Sequence, residues 1–320
     1  MPKVSFQGND YSLAENETVL DALLRHGVPA THSCKAGACH ACLLRASEGT
    51  IPKAAQAGLK EPWQAQGYFL PCVCRPETDL TVGAVGSDVR VGATIAELRP
   101  LSPTVLLVRL ECDSPIHHRA GQYITLVRED GLARSYSVAS STIQQHLDLH
   151  VRRVAVGRMS GWLHDEAKAG QRLSVLGPSG DCFYTPGDTE QPLLLIGTGT
   201  GLAPLYGILK DALRHGHRGV IRLYHGAVDM AGLYLCEELA QVAGRHSNFT
   251  YQPVVLQGPA SKDVVVGSID RAVLESSPSL KSWRTYICGD PDLVQLLRKK
   301  VFLAGAASRE IFCDAFVPAA

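Results

Sequence analysis

Three cysteines within nine residues, Cys34, Cys39 and Cys42, stand as C-x4-C-x2-C, and Cys72 follows after a gap of 29 residues. A hydrophobic core gains nothing from so many thiols in one short loop. Four soft, anionic sulfurs in a reducing compartment are instead a ligand set, and the chain around them must fold as a wrapper for an inorganic centre. Gly37, inside the first gap, supplies the positive φ that such a wrapped loop needs, and it lets backbone N–H groups turn toward sulfur. The chain has ten cysteines, and a fifth, Cys74, lies in the same region. The remaining five, Cys112, Cys182, Cys236, Cys288 and Cys313, are scattered and read as small buried apolar residues.

Two centres accept this donor set. Structural zinc takes four cysteines, or three with a histidine, and His32 and His40 are close by. Zinc sites, however, usually show two C-x-x-C-like knuckles. C-x4-C-x2-C with a distant fourth cysteine is the spacing of a plant-type [2Fe–2S] cluster. The 29-residue gap resembles the ferredoxin pattern, which makes Cys72 the expected fourth ligand and leaves Cys74 a spare thiol.

The rest of the chain is too long to serve this loop alone. At 320 residues it exceeds twice the roughly 150 of a typical domain. Residues 1–92 carry an opening hairpin with a turn at Gly8-Asn9-Asp10, a helix over 18–26 stopped by Gly27, the cysteine loop, a short strand over 79–82 and a linker over 83–92. Residues 93–188 run strand after strand (105–110, 123–127, 136–139, 147–154) around one helix over 160–168, which predicts an antiparallel β-barrel. Residues 189–320 alternate strands (193–196, 219–224, 249–255, 284–288) with helices (202–215, 233–242, 269–275, 291–304). That order predicts a doubly wound parallel α/β sheet.

Each of the two later regions carries motifs. Arg134-Ser135-Tyr136-Ser137 follows Gly121-Gln122-Tyr123, and Gly157-Arg158-Met159-Ser160-Gly161-Trp162-Leu163 comes after it in the same barrel. Their order and spacing resemble the ferredoxin–NAD(P) reductase superfamily. The resemblance implies that Arg134 pairs with a flavin phosphate, that Tyr136 packs on the isoalloxazine, and that Ser137 reaches toward N5. It also implies that His150 and Val151 flank the flavin, and that Gly157, Met159 and Ser160 offer a helix N-terminus to a pyrophosphate. Gly197-Thr198-Gly199-Thr200-Gly201-Leu202-Ala203-Pro204 resembles the superfamily's nicotinamide-nucleotide turn. Cys288-Gly289 resembles its Cys-Gly-x-Pro, whose cysteine lies near the nicotinamide, and Phe316 in Asp-Ala-Phe-x-Pro resembles a terminal aromatic near the flavin. A pyrophosphate site favours FAD over FMN. Val228 and Asp229, after the strand over 220–224, favour NADH, because a carboxylate can bond the ribose hydroxyls and repels a 2′-phosphate.

Over nearly its whole length the chain is thus similar to NADH-dependent reductase components of bacterial multicomponent oxygenases, and its ending is most similar to those of naphthalene-type ring-hydroxylating dioxygenases. The implied fold is a β-grasp-like ferredoxin domain, an FAD barrel and an NAD domain. The implied activity passes electrons from NADH through FAD and the [2Fe–2S] cluster, singly, to a terminal oxygenase or a separate ferredoxin. The implied reacting groups are Ser137, Cys288 and Phe316. The same architecture could serve a diiron monooxygenase or a deoxysugar dehydrase, and a redox sensor or carrier is the alternative of another class. Lys+Arg and Asp+Glu balance at 31 each, which argues against a nucleic-acid partner, and 45% hydrophobic residues exclude a disordered chain. With no apolar run near the ~18 residues of a membrane span and no signal core at its start, the expectation is a cytoplasmic monomer.

Overall fold

The structure is a computed structural model and describes residues 1–86, 89–259 and 263–317. Strands β1 (Lys3–Phe6) and β2 (Asn9–Ser12) form the opening hairpin. Its two-residue turn is Gln7-Gly8, both left-handed at φ 52° and 80°, so Asn9 and Asp10 join the strand instead of the turn. Helix α1 (Val19–Arg25) starts where expected, because the Thr18 hydroxyl accepts the Asp21 N–H at 3.1 Å. Next come β3 (Leu44–Glu48), α2 (Glu61–Ala65), β4 (Tyr68–Phe69) and β5 (Leu80–Ala84). The sheet order is β2-β1-β5-β3-β4, with β1 and β5 parallel. Val4, Leu23, Phe69 and Leu80 fill the space between this sheet and α1. This is the β-grasp arrangement.

The expected linker over 83–92 is shorter than read. Gly83 and Ala84 belong to β5, a new strand begins at Arg90, and residues 87 and 88 lie outside the described residues. The second sheet contains β6 (Arg90–Pro100), β7 (Val105–Cys112), β8 (Tyr123–Val127), β9 (Ala133–Ser137) and β10 (His146–Arg152). After helix α3 (Arg158–Asp165) it is completed by β11 (Arg172–Ser179). Its order is β10-β7-β6-β11-β8-β9, all antiparallel. A bridge between Val138 and Leu149 joins the two edges and closes the barrel. Arg134–Ser137 makes up all of β9 but its first residue, so this strand begins and ends earlier than the expected 136–139.

The third sheet holds β12 (Leu193–Thr198), β13 (Ile221–Ala227), β14 (Phe249–Val255), β15 (Val265–Val266), β16 (Arg284–Gly289) and β17 (Ile311–Ala315). Between them run α4 (Leu202–Arg214), α5 (Cys236–Arg245), α6 (Ile269–Ser276) and α7 (Pro291–Leu303). The order β15-β14-β13-β12-β16-β17 is parallel throughout. The chain moves outward from β12 to β15 and then returns to β16 on the other side of β12. The resulting crevice lies at the C-terminal end of β12, where the glycine turn is.

The first two regions do not hang apart. Leu43, Leu59, Tyr68 and Leu70 share one apolar cluster with Val127, Ala133 and Leu176 of the barrel. No helix among the described residues is long and apolar enough to cross a membrane.

Candidate functional site

The cysteine loop runs between α1 and β3 with little regular structure, because Lys35, Gly37 and His40 all take positive φ. These bends aim the backbone inward: the N–H groups of Ala36 and Cys39 each lie 3.4 Å from the Cys34 sulfur, and the Cys34 N–H lies 3.4 Å from that of Cys39. The four thiols fall into two couples. Cys34 hydrogen-bonds Cys39, which lowers the Cys34 thiol, and Cys42 hydrogen-bonds Cys72, which lowers Cys72. Gly37 turns its N–H toward Cys72, and a Cβ on it would press on Val73 at 3.3 Å. Cys74 is fully buried in the β-grasp core, where desolvation pushes its thiol up to about 12.

A cavity of about 570 Å³ opens beside this loop, within the size range of ligand pockets. All three regions build its wall. Cys34 and Cys39 contribute from the cysteine loop, and Tyr123, Arg134, Tyr136 and Ser137 from β8 and β9. His150, Arg152, Gly157, Met159 and Ser160 come from β10 and the start of α3, and Thr200, Asp314 and Phe316 from the α/β region. Arg134 donates to the neighbouring Ala133 carbonyl at 2.6 Å and forms no ion pair among the described residues. At Gly157 an added Cβ would strike the Ser160 hydroxyl and meet Val154 Cβ at 2.9 Å, so only glycine lets the α3 N-terminus approach the cavity this closely. Ser137 Oγ donates to Asp314 at 2.7 Å, and desolvation pushes the Asp314 carboxyl up to about 6 against the pull of that hydroxyl.

His150 is buried, and desolvation lowers it to about 3, so its ring is neutral. Its Nδ1 pairs with the Tyr234 hydroxyl at 3.1 Å across the barrel–sheet boundary. Val151, on the same strand, turns its side chain into the barrel core, since successive residues of β10 alternate faces and His150 takes the cavity side.

The glycine turn packs backbone against backbone. A Cβ on Gly201 would strike the Cys288 carbonyl, and one on Gly289 (φ 129°) would come within 2.9 Å of the Thr198 carbonyl oxygen. Of the turn, Thr200 lines the cavity, while Gly197, Thr198, Gly199 and Gly201 lie behind it. Cys288 is not on the cavity wall. Its sulfur is buried 3.6 Å from that of Cys182, because the alternation of β16 turns Cys288 to the same face as Tyr286, into the apolar core under the sheet. Asp229 follows β13 at the mouth of the crevice, exposed, and one oxygen caps a turn by accepting the Gly232 N–H at 3.2 Å.

Three domain families match the chain in this order: the 2Fe-2S iron-sulfur cluster binding domain over residues 4–77, the oxidoreductase FAD-binding domain over 93–184, and the oxidoreductase NAD-binding domain over 195–299. The aromatic O-demethylase reductase subunit of Amycolatopsis sp. is 35% identical over 99% of this chain and 98% of its own. The chain belongs to the iron–sulfur flavoprotein reductases of oxygenase systems. The reductase component of the Pseudomonas putida naphthalene 1,2-dioxygenase system is 28% identical to this reductase over 94% of the chain and 93% of its own. The crystal structure of an Amycolatopsis cytochrome P450 reductase superposes with a TM-score of 0.72 at 32% identity, covering 99% of both chains. The reductase is therefore an oxidoreductase with FAD, NAD and [2Fe–2S] as its cofactors.

The residues present suit these groups. The sulfurs stand as two couples, Cys34 with Cys39 and Cys42 with Cys72. That arrangement suits two bridged irons better than one zinc. The cavity adds two residues that motif reading passed over. Tyr123 was legible only as a neighbour of the flavin motif, and Asp314 only as part of the chain's ending. Their contacts join segments 85 and 177 residues apart in sequence, and no local pattern announces that.

Proposed function

We propose that this reductase takes electrons from NADH and hands them singly to the oxygenase or separate ferredoxin of an aromatic-oxygenase system, with a ring-hydroxylating dioxygenase at its end. The observation that carries this reading is the single cavity walled at once by the cysteine loop, the barrel and the α/β sheet. When bound, the nicotinamide supplies an electron pair, the flavin divides it, and the cluster relays the halves. Cys34 and Cys39 would hold one iron, and Cys42 and Cys72 the other, with the N–H groups of Ala36, Gly37 and Cys39 stabilising sulfur charge.

The chain's other roles follow from the wall. Arg134 binds a flavin phosphate, and the first N–H groups of α3, at Met159 and Ser160, bind the pyrophosphate. Tyr136 and Phe316 support the flavin ring, and Asp314 holds the Ser137 oxygen beside it. His150 presents a neutral ring fixed by Tyr234. The turn from Gly197 to Gly201 holds the NADH pyrophosphate, and Cys288-Gly289 forms its floor. Asp229 keeps one carboxylate oxygen for the ribose. The reductase is taken to act as a cytoplasmic monomer, where NADH is supplied.

A second partner class has a specific observation behind it. The 35% identical relative is the reductase subunit of an aromatic O-demethylase. The deciding experiment measures about two irons and two labile sulfides per chain, identifies the released flavin as FAD, and follows NADH-driven turnover with purified dioxygenase and O-demethylase partners. No NADH-dependent reduction of a one-electron acceptor would end the reading.

A further inference from the structure

Three consecutive residues of the cysteine loop are each tied to the barrel by a side-chain hydrogen bond. Tyr123 donates its hydroxyl to the Ala38 carbonyl at 2.6 Å, Thr125 donates to the Cys39 carbonyl at 3.0 Å, and Ser179 pairs with His40 Nδ1 at 3.1 Å. Tyr123 and Thr125 are two apart on β8, so the strand's period of two puts both on one face, toward the loop. Behind Thr125 stands its cross-strand partner Ser135, with hydroxyls 2.8 Å apart, and Ser135 lines the cavity. Thr125 spends its one proton on Cys39, so Ser135 is the donor of that second bond. The Tyr123 ring lies across Gly180, where a Cβ would meet it at 3.0 Å.

We propose that Thr125 and Tyr123 are positioning residues for transfer between the flavin site and the cluster, a role that rests on the electron-relay reading above. Ser135, Thr125 and Cys39 form one hydrogen-bonded connection from the cavity wall to a cluster ligand, and Tyr123 fixes the adjoining peptide. In the transfer they position, one electron leaves reduced flavin and converts one ferric ion of the cluster to ferrous. After the partner removes that electron, the second follows, and the flavin's protons go to solvent. The strand face sets the separation and orientation of the two groups, which is where small displacements cost rate.

The test uses the loaded protein and the variants Thr125→Val, Thr125→Ser and Tyr123→Phe. Rapid mixing with NADH separates flavin reduction from the cluster reduction that follows. Deuterium exchange over residues 34–42 reports how firmly the loop is held, and the paramagnetic spectrum of the chemically reduced cluster reports its ligands. In Thr125→Val, flavin reduction stays within about twofold while cluster reduction slows about 10- to 100-fold. The loop exchanges faster and the spectrum is retained. Thr125→Ser restores the wild-type rate, and Tyr123→Phe slows cluster reduction as well. Cluster reduction at the wild-type rate in Thr125→Val, or a Thr125→Ser variant as slow as Thr125→Val, overturns the proposal. Should Thr125→Val fail to hold its cluster, Tyr123→Phe and Thr125→Ser decide by the same readings. Absence of flavin reduction by NADH in the wild type would instead defeat the underlying relay.

Discussion

Ser137 and Asp314 are joined by a 2.7 Å hydrogen bond between the last residue of barrel strand β9 and the final strand of the parallel sheet. The bond fastens the C-terminal segment over the cavity, and it makes a half-buried carboxyl part of the wall. The Asp314 carboxyl titrates near 6, above its ordinary 3.8, because it is desolvated. Between those values the folded chain holds a proton that the unfolded chain has released. The stability this group contributes is therefore full below the ordinary value and is lost as pH rises toward 6. An Asp314→Asn variant lacks this loss, so its denaturation midpoint should gain on the wild type as pH rises from about 4 to 6.5. A constant difference across that window would show that the carboxyl is not desolvated.

The cysteine register separates two neighbouring residues. Cys72→Ser should abolish or strongly perturb the cluster's visible absorption and its reduced-state paramagnetic signal. Cys74→Ala should leave both nearly intact while lowering stability by about 1 kcal/mol, since it only opens space in the β-grasp core. The opposite pattern would move the fourth ligand to Cys74.

Cofactor choice is expected at Asp229, with a modest size. The carboxylate is exposed and already engaged by the Gly232 N–H, so its repulsion of a 2′-phosphate is screened. NADH should be preferred over NADPH in kcat/KM by about tenfold or more, and the double variant Val228→Arg, Asp229→Ser should narrow that ratio. Equal use of both nucleotides by the wild type would leave Asp229 as a turn cap alone.

Gly201 has no room for a side chain, because its Cβ would occupy the Cys288 carbonyl and lie 3.0 Å from the Gly289 Cα. Gly201→Ala should displace the turn, raise KM for NADH and lower stability by about 1–3 kcal/mol, with FAD content retained. An unchanged KM would place the nucleotide elsewhere.

The architecture was legible where local pattern and tertiary role agree. The cysteine spacing, the runs of the α/β sheet and the Thr18-capped helix each state their structure within a few residues. Strands β6 and β11 were missed because their sequences argue the other way. Arg90–Pro100 carries Gly92, Glu97 and Arg99 on a half-exposed strand, and Arg172–Ser179 contains Gly177-Pro178, which reads as a turn. In the site, motifs named Arg134, Tyr136, Ser137, His150 and Phe316, which line the cavity, but not Tyr123 and Asp314, which line it too, while the Cys288 and Val151 side chains turn away from it. Which way a side chain faces is set by strand register against the core: Cys288 shares the inner face of β16 with Tyr286, and Val151 faces the barrel core.

The apolar cluster that unites Leu43, Leu59 and Tyr68 with Val127, Ala133 and Leu176 makes the iron–sulfur unit a fixture of the molecule and not a tethered shuttle. Swinging it outward would expose that surface to water, at a cost that grows with every Å² uncovered. The two units should melt together, in one calorimetric transition in place of two. A docked cluster cannot travel to its customer. Any acceptor would have to come to the cluster, whose loop is exposed at Lys35 and Ala36.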